Sequence, residues 1–329
     1  MKKIFIAMMA MATFAACATE DTIVTPKGNA IAFGDAFVDN STKAIYDADN
    51  KLDAFTVWGS VNDVALYGTT GATVSTGGDY NTIWTCDQVR YWTPSSTFNF
   101  FATAHATVDP NDLVYGIPTE LTYTAIAAGD VDLLCSTATV TATTDGAGTP
   151  TGNLTTVGEG ENAVKNVVGF TMKHLLSRVK VSFESQLEAN SDYRYQVTGV
   201  KVKSASTGTY TISTSTWSVA NDVQKIEMPY TDPNTITNNS TVNCGAKLVI
   251  PTSPVDLEFT YELQLKTGEG ESDWTTIKSG NVVKSGVIEG NPVQNCSYNI
   301  TVQLKAGAKI DFTVTSTTAF GDDSNVPVQ

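Results

Sequence analysis

Histidine is almost missing, with 2 in 329 residues. Enzymes that move protons near neutral pH draw first on imidazole, so this scarcity argues against hydrolytic chemistry. Basic residues are also few: Lys and Arg total 20 against 34 Asp and Glu, a net charge of −14. Phosphate contacts need basic patches, so the balance argues against a nucleic-acid partner. It also disfavours docking on anionic lipid headgroups. Charged residues make up only 16% of the chain, which leaves a weakly charged surface. No CxxC, HExxH, GxSxG, GxGxxG or phosphate-loop pattern occurs. That removes the common signatures of structural zinc, zinc proteases, serine hydrolases and nucleotide binding. Beyond the first 16 residues no apolar run reaches the roughly 18 residues of a spanning helix, and no helical stripe of useful length appears.

What is present is β-forming. Hydrophobic residues make up 41%, enough to bury a core, and Thr occurs 49 times. A Thr-, Val- and aromatic-rich chain with few charges favours strands. Leu257-Glu-Phe259-Thr-Tyr261-Glu-Leu263-Gln-Leu265 alternates strictly, as do Tyr298-Asn-Ile300-Thr-Val302-Gln-Leu304 and Ile310-Asp-Phe312-Thr-Val314. Period two sets every apolar side chain of a run on one sheet face. The odd residues of the first run and the even residues of the second are therefore expected in a core. Val179, Val181 and Phe183 form another row, while Phe55-Thr-Val57-Trp58 and Phe98-Asn-Phe100-Phe101 read as strand cores. Thr209 to Thr216 reads as an outer strand. Sheets with one wet face must cover the other, and sandwiches do so economically. The Gly/Thr-rich stretch from Ala142 to Glu161 reads as a long loop or linker, with a domain boundary near residue 165.

The N-terminus carries a processing signal. Lys2 and Lys3 precede an apolar run from Ile4 to Ala16, the pattern of a secretory signal peptide. Its end, Phe14-Ala15-Ala16-Cys17, resembles a bacterial lipobox, which makes Cys17 the lipidated residue; cleavage after Ala18 is the alternative. Glu20-Asp21 resembles an acidic outward-sorting signal, and Asp21-Thr22-Ile23 an O-glycosylation acceptor. Four cysteines remain, Cys86, Cys135, Cys244 and Cys296. They permit the disulfides Cys86–Cys135 and Cys244–Cys296 in an exported protein; four buried thiols are the alternative.

Candidate chemistry is thin. His174 shares a face with Phe170 and Met172 if its segment is a strand, and reads as a core histidine bonded to backbone. Asp47, Asp49, Asn50 and Asp53 have some spacing of a calcium loop but lack its Gly and Glu. No catalytic residue, metal site or cofactor is expected. Trp58, Trp84 and Trp92 fall in apolar contexts. Trp217 and Trp274 lie near polar segments, where side-by-side placement in a groove would suit a sugar ring.

In order along the chain, several segments resemble the fimbrillin family, the lipoprotein-precursor pilins of gram-negative gut and oral bacteria. They are the lipobox-like Cys17, Ile31-Ala-Phe33, Ser41-Thr42-Lys43-Ala44, Phe55-Thr-Val57 and Tyr91-Trp92 with Phe98-Asn-Phe100-Phe101. Val131-Asp132-Leu133-Leu134 and Phe170-x-x-x-His174-Leu175-Leu176-Ser177-Arg178-Val179-Lys180-Val181 follow. Leu248-Val-Ile250-Pro251 and the run 298–304 complete the order. The resemblance implies an all-β protein of two tandem transthyretin-like β-sandwich domains, 30–165 and 166–329. Ahead of them stand a signal peptide, 1–16, and a lipidated tether, 17–29. It implies a fimbrial (pilus) subunit at the cell surface, held first in the outer membrane by lipid. Proteolysis at Lys43 would remove the first strand, and other fimbrial subunits would then join by a donor strand. The chain departs from the family pattern in having no Arg between Cys17 and Arg90, and Ala319-Phe320-Gly321 where a Trp is expected. A surface glycan-binding lipoprotein and a non-polymerising tip or anchor subunit are the alternatives, with a host or bacterial surface receptor as a further partner.

Overall fold

A computed structural model of the chain describes residues 29–38, 52, 54–76, 83–124, 132–189, 191–219, 223–228, 234–237, 240–270 and 272–317. The protein is all-β. Among the described residues the only helical pieces are single 3-10 turns at Pro110–Asp112, Gly160–Asn162 and Ala306–Ala308, and no helix is long and apolar enough to cross a membrane.

The N-terminal lobe is one large sheet. Its order runs from the first strand, Ala32–Val38, through Val164–His174, Leu134–Ser136, Thr97–Ala104, Ala54–Val61 and Ala72–Ser75 to Thr85–Cys86. The two ends meet, because Phe33 bridges Trp84 and Ala30 bridges Tyr91. The sheet thus wraps its own core of Phe33, Phe55, Val57, Trp84, Trp92, Phe98, Phe100, Phe170 and Met172. Alternation sorts the side chains: Phe98 and Phe100 enter this core, while Phe101 points to the opposite face and joins another cluster.

The C-terminal lobe is a sandwich. One sheet runs Thr241–Val249, Ser177–Ser185, Ser297–Lys305 and the last strand, Lys309–Thr317; the other runs Val223–Glu227, Tyr193–Ala205, Asp256–Lys266 and Trp274–Lys284. The expected rows are buried as far as Leu257, Phe259, Tyr261 and Leu263 from one sheet and Tyr298, Ile300, Val302 and Leu304 from the other; Leu265 is only half-buried, because the register shifts after Leu263 and Gln264 takes the buried place. Phe183 and Phe259 meet edge-to-face across the layers, centroids 4.9 Å apart, a geometry that adds about 0.5–1.5 kcal/mol to simple burial.

Sheet membership changes between His174 and Ser177, downstream of the boundary expected near 165, since Val164–His174 belongs to the N-terminal sheet. Thr207–Thr211 is not an outer strand. It lies between Glu120–Thr124 and Thr216–Val219 in a three-stranded sheet built from both halves of the chain. Tyr210 is fully buried in a junction cluster with Trp58, Phe101, Leu121, Leu133, Leu175, Leu176 and Ile250. Its partner strand is distant in sequence, so local pattern did not reveal the pairing. The stretch from Ala142 to Glu161 is also not a linker. It carries the end of Val140–Thr144 and the short strands Pro150–Gly152 and Thr155–Val157. Asp145 Oδ1 accepts the N–H groups of Ala147 and Thr149, both at 2.8 Å, and fixes the turn. Only Ala142, Leu154 and Val157 pack into apolar clusters here, too few apolar residues for a readable alternation.

Neither expected disulfide is made. Cys135 lies in the junction cluster and Cys86 against the N-terminal core. Cys244 and Cys296 flank Ser177–Ser185 on opposite sides. Two strand spacings of about 4.8 Å exceed the roughly 7 Å Cα limit for a bridge.

Candidate functional site

The feature with functional geometry is the seam filled by the first strand. On one side the strand runs parallel to Val164–His174, with Ala32 opposite Val167, Phe33 opposite Val168 and, after an irregularity, Ala36 opposite Phe170 and Val38 opposite Met172. On the other side the segment 84–92 closes against it. Ile31 N–H donates to Arg90 O, Trp92 N–H to Asn29 O and Trp84 N–H to Phe33 O, each at 2.8 Å. Its side chains complete the core. Phe33 is 1% exposed and its ring lies 5.9 Å from Phe100, edge-on, and 6.5 Å from Phe170, stacked. Full burial of such a ring contributes about 1.5–3 kcal/mol. None of these neighbours is adjacent in sequence, so no hairpin ties the strand to them.

The last strand is built differently. Among the described residues it pairs only with Ser297–Lys305, in unbroken register from Ser297–Thr317 to Lys305–Lys309. Ile310, Phe312 and Val314 pack half-buried on the C-terminal core, and Asp311, Thr313 and Thr315 face solvent. Lys305 forms an ion pair with Asp311. The result is an edge strand with one apolar stripe.

Cys17, Glu20, Asp21, Thr22, Ile23, Lys43, Asp47, Asp49, Asn50 and Asp53 lie outside the described residues. His174 is in the core at 1% exposure, as expected, and its Nδ1 contacts Asp132 Oδ2, whose side chain is also 1% exposed. Sequence reading missed Asp132, although a carboxylate inside the apolar run 131–134 was a signal. It also missed the segment 84–92 as the second wall of the seam. His105 is exposed and sits at φ 59°. Its ring is nonetheless partly withdrawn from water, which pulls its pKa down, opposed by the charge of Asp132. Trp217 and Trp274 are not neighbours in a groove. Trp217 belongs to the junction, where Nε1 donates to Leu175 O at 3.0 Å. Trp274 stands on another sheet under the Arg194 guanidinium, 4.2 Å from its ring. No cluster of His, Cys, Asp or Glu suited to a metal occurs among the described residues.

These features define a class: an all-β protein in which the first strand completes the core of a sheet whose other strands lie far away in sequence. The chain belongs to the fimbrillin-like family, whose model matches residues 42–320. Its fold is shared by a fimbrial protein from Bacteroides vulgatus, 15% identical with a TM-score of 0.57, covering 81% of this chain and 92% of that one. A candidate cell adhesion protein from Bacteroides uniformis is 14% identical with a TM-score of 0.50, covering 89% of this chain and 99% of that one. None of the curated proteins matches the chain.

Proposed function

We propose that the chain is a structural subunit of a cell-surface fimbria, exported as a lipoprotein through Cys17 and assembled by strand exchange. The observation that carries this reading is the first strand, bonded on both sides and inserted into the core, yet joined to no neighbour by a hairpin. Cleavage after Lys43 cuts downstream of it; the family match begins beside this position, at Thr42. Losing the strand opens backbone groups along one edge of Val164–His174 and empties the Phe33 site between Phe100 and Phe170. Buried donors and acceptors without partners are costly, and an open edge with an apolar groove recruits an extended segment. The last strand of another subunit fits the need, because Ile310, Phe312 and Val314 alternate along it. Such a joint uses two different surfaces of each copy, so it propagates head to tail into a filament.

The test is limited trypsin treatment of lipid-free protein, followed by sedimentation. Polymers should form after cleavage at Lys43 and be absent in Lys43→Gln. Clean cleavage at Lys43 with a product that stays monomeric at high concentration overturns strand exchange for this chain. Fatty-acid labelling should be lost in Cys17→Ala; equal label in both proteins overturns the lipid anchor.

A further inference from the structure

The start of the first strand is sealed on both faces. Ile31 and Phe33 enter the N-terminal core. Ala32, between them, turns the other way and is still only 5% exposed: it lies with Val157 and Val167, and Ile83 and Val164 pack against them. Gly34 is buried as well. Four consecutive positions are therefore closed to water, in the order large, small, large, small. A strand with one wet face alternates apolar with polar residues, and a charge on that face stays hydrated. Here a charge at a small position would be taken out of water. The last strand is of the one-sided kind. Ile310, Phe312 and Val314 pack half-buried, while Asp311, Thr313 and Thr315 are exposed. The face that the free subunit keeps in water becomes a buried face once the strand enters the seam of another copy.

We infer that the seam selects one register of a second copy's last strand: Phe312-Thr313-Val314-Thr315 takes the places of Ile31-Ala32-Phe33-Gly34, running in the same direction as the strand it replaces. The inference rests on the strand-exchange reading. Side chains alternate, so a slip by one residue turns the apolar stripe to the wrong face, and only slips by two need comparing. Setting Phe312 or Ile310 at the place of Phe33 carries Asp311 or Lys309 to that of Ala32, among Val157, Val167 and Val164. Setting Ser316 there leaves the site between Phe100 and Phe170 without an apolar side chain. Reversing the strand brings Asp311 to Gly34 or Ala32, or Ser316 to Ile31. In the inferred register Asp311 falls at the place of Ala30, which is only half-buried, and both small positions receive an uncharged Thr. The apolar residues of the donor thus supply the attraction, and the residues between them set the register.

Assembly of lipid-free protein cleaved at Lys43, followed by sedimentation, tests the register through substitutions in the last strand. Thr313→Asp should slow assembly at least tenfold, because its carboxylate enters the Ala32 site. Melting of the uncut variant should match wild type, because residue 313 is exposed there. Thr313→Ala supplies the residue that the seam holds in the uncut subunit, and should assemble at least as fast as wild type. Asp311→Ala should change the rate less than twofold. Val314→Phe should give polymers that dissociate at least tenfold more slowly, because a phenyl ring returns to the site between Phe100 and Phe170. An Asp311→Ala protein that assembles tenfold faster than wild type, or a Thr313→Asp protein that assembles at the wild-type rate, overturns the register while strand exchange stands. Wild-type protein that is cut at Lys43 and stays monomeric overturns strand exchange and the register with it.

Discussion

The first and last strands are both amphipathic and both close a lobe, yet they are held in opposite ways. The first has a neighbour on each side and drives Phe33 to the centre of the N-terminal core. The last has one neighbour among the described residues and lays Ile310, Phe312 and Val314 along the rim of the C-terminal core. Removing the first leaves a gap in a closed sheet, whereas removing the last merely shifts an edge by one strand. A subunit that exchanges strands needs this asymmetry: the site must be intolerant of being empty, and the donor cheap to detach. The largest test of the difference is Phe33→Ala, expected to cost about 3–5 kcal/mol, the range for a truncated core Phe. Phe312→Ala should cost about 1–2 kcal/mol, since half of the ring's burial is at stake. Urea unfolding measures both. Equal costs would erase the distinction between plug and flap.

How much of this was legible in sequence depends on where each residue's partner lies. The rows 257–263 and 298–304 were readable because period two is local, and the structure buries them as expected. Phe33 was readable as part of an apolar first strand, but the wall formed by Trp84, Arg90 and Trp92 was not. Its bonds to residues 29–33 span a distance that no local pattern encodes. The junction was hidden for the same reason. Thr207–Thr211 looks polar in sequence, because Thr209 and Thr211 face outward while Gly208 and Tyr210 face in. Only its pairing with Glu120–Thr124 makes it a bridge between lobes. His174 was recognised as core, but its partner came from a separate strand end.

A smaller effect separates the cysteines. Burial pushes the Cys135 thiol up to about 12. Cys86 is only partly buried, and its shift is also upward, again mainly through burial. In the folded protein a thiol reagent at pH 8 should label Cys86 slowly and leave Cys135 untouched until urea unfolds the junction. Labelling of Cys135 in the native state would mean that the junction opens on its own, far more readily than the seam.

The smallest effect concerns alkaline release of the last strand. Tyr195 reaches across the C-terminal sandwich and donates its hydroxyl to Lys305 O at 2.6 Å, at the turn that feeds Lys309–Thr317. Burial raises its pKa from 10.0 to about 12. The folded state therefore keeps a proton that the unfolded chain gives up, so stability contributed by this group is complete below pH 10 and falls as pH rises toward 12. Cys135 has the same sign, starting from pH 9. Tyr195→Phe should lose the hydrogen bond at neutral pH, a cost of about 1 kcal/mol. It should also flatten the decline between pH 10 and 12, while Cys135→Ala flattens the part that begins at pH 9. Because Tyr195 anchors the turn and Cys135 the junction, hydrogen exchange should show amides of the last strand opening with the Tyr195 step. The first strand should stay protected until global unfolding. If the first strand opened before the last as pH rises, the plug and the flap would have to be exchanged.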